Sequence, residues 1–135
     1  MNRFARVLGW MLVVGVVPLG VPLRVIDELG VRVVEGTRGE SLVRRPQDAT
    51  LVIEACLSSG VRQALLYPEN LTPRFFDLSS GEAGEILDKL RRFRVRLAVV
   101  CPPSTVTFST RFAEILADDL RVFETREEGR QWLGG

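Results

Sequence analysis

The sequence predicts an α/β domain built on a small mixed, mainly parallel sheet of four to five strands with packed helices, in the order β-β-α-β-α-β-α-β-α. Three observations carry that expectation. Apolar runs of strand length, at residues 61–67 and 95–100, alternate with segments whose apolar residues recur at helical spacing. The second run is close to continuously apolar, which suits a central strand of a parallel or mixed sheet. Ahead of them, two further runs lie so close together that a hairpin must join them, and the hairpin makes the sheet mixed.

Residues 1–22 form an apolar extension, and residues 23–135 form the domain. Between Arg6 and Arg24 there is no charge, and residues 7–17 are close to continuously apolar. Three readings fit this extension. A membrane anchor would stand at the short limit of roughly 17 residues, and Pro18, Pro22 and the glycines weaken it. An export signal would have Arg3 and Arg6 ahead of its apolar region, but no Ala-x-Ala site follows. A start placed too far upstream would make the native chain begin nearer Met11 or Val21 and leave the protein cytoplasmic.

The strands expected at 23–26 and 31–35 flank a four-residue turn, Asp27-Glu-Leu-Gly30. A second turn at 36–39 leads to Ser41-Leu-Val43, which extends or repeats the strand. Pro46 then opens a helix at its first position, where a missing N–H costs nothing. Ala49, Val52, Ile53, Cys56 and Leu57 give it a buried face, and Gly60 ends it. After strand 61–67, Pro68-Glu-Asn70 breaks the chain into a loop. Ser79 and Glu82 have the spacing of a capping box, which starts the next helix near Ser80 with Ile86, Leu87 and Leu90 on its apolar face. Strand 95–100 stops at Pro102-Pro103. A loop at 104–109, a short helix through Phe112, Ile115 and Leu116, and an edge strand at 120–123 follow. Thr125 and Glu128 form a second capping box, opening a terminal helix whose Trp132 and Leu133 dock on the sheet.

Composition narrows the chemistry. A formal net charge of +1 gives no general pull toward nucleic acid or anionic lipid, so no nucleic-acid partner is expected. The chain has no His, which removes the commonest general base, the commonest metal ligand and every Ser-His or Cys-His pair. Cys56 and Cys101 read as small core residues of a reduced protein. No phosphate-binding glycine motif is present. No cofactor, metal or catalytic residue is expected, and the chain reads as a non-enzyme.

The place to look is the loop 68–81 and the helix start after it, because open α/β sheets bind ligands beyond the carboxyl ends of their strands. Ser79 is either a modifiable switch at a helix N-terminus or simply an N-cap, with Ser80 as its neighbour. Glu69, Asp77 and Glu85 either converge for acid-base or cation chemistry, or act as caps and solvated charges. Asn70 either contributes to a site or bonds its own turn. Of Phe75 and Phe76, at least one should plug the core, leaving the other as an anchor for a partner. Arg91, Arg92, Arg94 and Arg96 form a basic cluster that either meets an anion or complements the helix dipole.

Residues 46–133 resemble a bacterial family known as domain of unknown function 4180. The matching words are Gln47-Asp-Ala49, Tyr67, Asn70-Leu71, Phe75-Phe-Asp-Leu78, Ala83-Gly-Glu85-Ile-Leu87, Lys89 and Arg96-Leu-Ala-Val99. Strands 23–35 fit the family's beginning. Cys101 stands where the family usually has Gly, and Ala117-Asp-Asp119 where it tends to have Asn-Arg-Gly. In architecture the family is similar to STAS domains, the anti-sigma-factor antagonist fold. There an Asp-Ser-Ser-Gly sequence opens a helix and its first Ser is phosphorylated. Asp77-Leu-Ser-Ser-Gly81 is similar with one residue inserted, and alignment at the Gly makes Ser79 the corresponding residue.

The resemblance implies a non-enzymatic regulatory module that binds a protein partner through the loop 68–81. The alternative is a small-molecule or lipid-binding domain, membrane-linked only if residues 1–20 are retained as an anchor. Two copies could also pair through an edge strand, either near Leu120 or in the first hairpin.

Overall fold

The structure, a computed structural model, describes residues 20–102 and 118–135. Among them, β1 (Leu23–Glu28), β2 (Val31–Gly36), β3 (Gln63–Leu66), β4 (Arg96–Val100) and β5 (Leu120–Phe123) form a sheet in sequential order. The α-helices among the described residues are α1 (Ala49–Ser59), α2 (Glu82–Phe93) and α3 (Arg126–Gly134). β1 runs antiparallel to β2, and β2 to β5 are parallel. The expected α/β fold with a mixed, mainly parallel sheet is what forms. The expected segments 1–19, the loop at 104–109 and the helix through Phe112 and Ile115 lie outside the described residues.

Sequential parallel strands joined by crossovers of one hand place the crossover helices on one face. α1 and α2 accordingly pack side by side, and α3 crosses the opposite face against β2, β3, β4 and β5. Alternation along the strands feeds two cores. Val34, Ala64, Leu66, Leu97 and Val99 point to α1 and α2, where they meet Ile53, Cys56, Ile86 and Leu90. Val33, Leu65, Tyr67, Ala98 and Val100 point to α3, where they meet Leu133. Gly129 permits the close seating of α3, since a Cβ there would lie 3.3 Å from Leu65 and 3.4 Å from Ala98. Cys56 and Cys101 are both buried.

Several local expectations change. The β1–β2 turn has two residues, not four: Asp27 and Glu28 pair with Arg32 and Val31, leaving Leu29 (φ 53) and Gly30 (φ 78) at the tip. Positive φ at both positions is the geometry whose twist matches the strands. Residues 41–43 are not a strand. Leu42 and Val43 are buried in the main core, and the Val43 N–H donates to the Asn70 carbonyl at 2.7 Å. Pro46 opens a 3-10 turn, Pro46–Asp48, and the α-helix begins at Ala49. Leu57, expected inside, is 44% exposed, because α1 turns that position away from both α2 and the sheet.

The second capping box forms as expected. Thr125 Oγ1 accepts the Glu128 N–H at 3.2 Å, and Glu128 accepts the Thr125 N–H at 3.2 Å. Thr125→Ala is therefore expected to cost about 1 kcal/mol, read as a lowered midpoint in thermal unfolding. Among the described residues no helix is long and apolar enough to cross a membrane.

Candidate functional site

The loop 68–81 leaves the carboxyl end of β3, a central strand, and is built from the inside outward. Pro68–Asn70 is a 3-10 turn with Pro at its start. Asn70 is fully buried: its Oδ1 accepts the Tyr67 N–H at 2.8 Å, and its Nδ2 donates to the carbonyls of Thr37 (2.7 Å) and Glu40 (2.8 Å). It thus bonds its own turn, as expected, and also clamps the opposite loop. Thr72 is buried, donates to the Glu82 carboxylate and accepts the Arg74 N–H at 2.9 Å.

Phe75 is fully buried in the main core, and half-buried Phe76 packs on the same core. Their rings meet edge to face at 5.0 Å. Phe76, a candidate for the exposed anchor, is thus half-buried rather than free, resting on the main core against Phe75.

The outer part of the loop is polar. Asp77 Oδ1 accepts both the Ser79 hydroxyl (2.6 Å) and the Ser79 N–H (3.0 Å), an Asx-type turn. These two bonds hold the Asp77 carboxyl below the ordinary range. The Ser80 hydroxyl lies 2.7 Å from the Asp77 carbonyl and 2.9 Å from that of Arg74, and accepts the Glu82 N–H at 3.2 Å. The capping box expected from Ser79 and Glu82 does not form. Gly81, at φ 75, is the residue before α2 and swings the chain so that Ser79 turns back to Asp77 while Glu82 reaches across to Thr72.

The candidate carboxylates do not converge. Glu69 pairs with Arg38 at 2.7 Å and accepts the Gly39 N–H at 3.0 Å. Burial raises the Glu69 pKa, but the hydrogen bonds from Arg38 and from backbone N–H groups outweigh it and hold the carboxyl low. Asp77 is taken up with Ser79, and Glu85 stands exposed on α2. Among the described residues no group of three His, Cys, Asp or Glu side chains could hold a metal ion. The arginine cluster is also dispersed. Arg91 pairs with Asp119 at 3.4 Å, Arg94 caps α2 in a left-handed conformation, and Arg96 stacks 4.2 Å over the Trp132 ring while donating to its carbonyl.

A charged cluster that sequence reasoning missed lies on the α3 face. Buried Glu35 accepts the Tyr67 hydroxyl at 2.9 Å and a bidentate pair from Arg126 at 2.9 and 3.0 Å. Arg126 also holds Glu28 at 2.9 and 3.0 Å, which lowers the Glu28 pKa. Arg126 is in turn held firmly protonated, first by Glu35 and then by Glu28. Buried Arg130 donates to the Val31 carbonyl at 2.6 Å, and its Nη1, 3.6 Å from Glu35, makes no hydrogen bond. Burial, followed by the Glu35 bond, pushes the Tyr67 hydroxyl up to about 12, and Arg38 lies 4.2 Å over its ring. Two faint signals were available: Glu35 occupies an inward strand phase next to Val33, and Arg126 and Arg130 share one helical face.

Among the described residues the arrangement therefore offers a loop anchored from within that carries a solvent-exposed Asp77–Ser79 pair, and a charge cluster whose groups are mostly consumed by one another. No curated protein and no solved structure matches the chain. A family model matches residues 28–133, and with that match the chain belongs to the family described as Domain of unknown function (DUF4180).

Proposed function

We propose that the protein is a non-enzymatic, STAS-like interaction module that binds a protein partner through residues 68–81 and the start of α2, under the control of phosphorylation at Ser79. The observation that carries this reading is the contrast between the two sides of the loop. Asn70, Thr72 and Phe75 fix it from within, while Asp77 and Ser79 stand exposed. A loop held this way loses little further freedom on binding, which favours recognition by a folded partner.

The same geometry supplies a switch. Phosphorylation adds a charge of about −1.5 to −2. It would fall on an oxygen now 2.6 Å from the Asp77 carboxylate, where the hydroxyl is a donor. The donor is lost, the two anions repel, and the tip of the loop opens. Ser80 is less suited, since its hydroxyl bonds the loop's own backbone. The small mixed sheet, the position of the loop after a central strand and the Ser-Ser-Gly entry to α2 support the STAS-like reading, and a cytoplasmic location goes with it. The alternative, a small-molecule or lipid site beneath Phe75 and Phe76, is disfavoured by the burial of Phe75 in the main core.

Intact mass of the protein purified gently from its own cells tests this. The expected species is one phosphate heavier, with the modification at Ser79, and Ser79→Asp recovers different proteins from extract than wild type does. An unmodified Ser79, together with equal recovery by the two forms, would end the switch reading.

A further inference from the structure

β1 is the edge strand on one side of the sheet. The Pro22 carbonyl accepts from the Thr37 N–H, so Arg24, Ile26 and Glu28 direct their backbone groups to β2. By alternation, Val25 and Asp27 direct their N–H and C=O groups to the open edge. Residues 23–28 contain no proline to block an added strand. At the end of the strand Leu29 is 103% exposed at φ 53, a turn position that suits Asn, Asp or Gly. Among the described residues of a single chain, nothing covers Leu29.

The order of charges along this edge selects its partner. If a second copy adds antiparallel about a two-fold axis, centring on Arg24 sets Arg24 against itself, and centring on Asp27 sets Asp27 against itself. Like charges directly opposite are destabilising. Centring on Val25 puts Arg24 opposite Ile26 and Asp27 opposite Leu23. Centring on Ile26 places Arg24 opposite Glu28 of the second copy on both sides of the axis and joins the two Ile26 side chains. It also lets Val25 and Asp27 exchange backbone hydrogen bonds.

Arg24 is exposed and has no hydrogen bond or ion pair within its own chain among the described residues. The Glu28 side chain, although held by Arg126, is 44% exposed and can accept again. The same register carries each Leu29 to the start of the other β1. An open recess of about 570 Å³ there has apolar Val21, Leu42 and Leu51 in its lining beside charged Arg44, Arg45 and Asp48.

We infer that two copies of this chain associate through β1, centred on Ile26, into one continuous sheet, with Arg24–Glu28 pairs across the joint and Leu29 seated in the other copy's recess. This dimer does not depend on the proposed role of the loop 68–81. In it the two Ile26 residues form a non-hydrogen-bonded pair with Cα atoms about 4.5 Å apart, within reach of a disulfide.

Sedimentation of the full chain over a wide concentration range is expected to show a monomer–dimer equilibrium. Arg24→Glu puts like charges opposite each other twice across the joint and is expected to raise the dissociation constant about tenfold or more. Because it also faces Glu35 across β1 and β2 within the chain, the dilute monomer is checked as still folded by circular dichroism. Under mild oxidation Ile26→Cys should form a covalent dimer and Arg24→Cys should not. A chain that stays monomeric at every concentration, a dimer indifferent to Arg24→Glu, or cross-linking of Arg24→Cys as fast as Ile26→Cys would each overturn the inference.

Discussion

Asn70→Ala is expected to destabilise the protein by about 3–5 kcal/mol, since each buried hydrogen-bonding group left without a partner costs about 1–3 kcal/mol. Removing this one fully buried side chain strands the buried Tyr67 N–H and takes the partner from the part-buried carbonyls of Thr37 and Glu40. Beside Gly36 there is little room for a water in its place. A Cβ at Gly36 would collide with the Asn70 side-chain oxygen and come within 2.8 Å of its Cγ and 2.9 Å of Leu66, so the backbone is already in tight contact there. Asn70→Asp should fare no better, because a carboxylate oxygen would face two carbonyls where the amide now donates. Urea unfolding checks both variants, and a loss below about 1 kcal/mol for Asn70→Ala would show that these bonds are replaced by others.

Arg126→Ala is expected to cost about 3–5 kcal/mol by leaving the buried Glu35 carboxylate uncompensated. Glu35, with its side chain 9% exposed, would keep only the Tyr67 hydroxyl and an Arg130 nitrogen 3.6 Å away. Removing both charges as Glu35→Leu with Arg126→Met should cost clearly less than the sum of the single changes, and a double-mutant cycle by urea unfolding measures the difference. Strict additivity would show that the two side chains act independently.

The cluster also carries a pH dependence. The Arg126 hydrogen bonds hold the folded Glu28 carboxyl below its ordinary 4.5. The resulting stability is fully present above that value and is lost as pH falls through the lower folded value. Arg126→Ala should flatten this acid-side decline.

The fold was legible because its signals are local. Strands 61–67 and 95–100 declare themselves as short, mostly apolar runs, and α1 and α2 by their spacing. The loops were less legible because their outcome depends on single backbone states. Leu29 at positive φ shortens a turn that its chemistry does not announce. Gly81 separates Ser79 from Glu82, although their spacing satisfies the capping pattern. Within the candidate site, the sequence indicated that Asn70 could bond its own turn and that at least one of Phe75 and Phe76 would plug the core. It did not indicate that Asn70 also reaches Thr37 and Glu40, nor which ring goes deepest. The pairing of Glu35 with Arg126 spans 91 positions and exists only once β2 and α3 share a face. Such a contact is invisible to any reading that scans one window at a time.

That long connection has a consequence for synthesis. While α3 has yet to leave the ribosome, β2 can pair with β1 and β3, but Glu35 has no guanidinium to meet. The apolar row of Val33, Leu65, Ala98 and Val100 then lies open on one side of the sheet. The nascent chain at that stage is a one-sided sheet bearing an unneutralised acid, a state that neither buries its surface nor holds its charge cheaply. Docking of α3 is therefore the step that both covers this row and supplies Glu35 with its guanidinium.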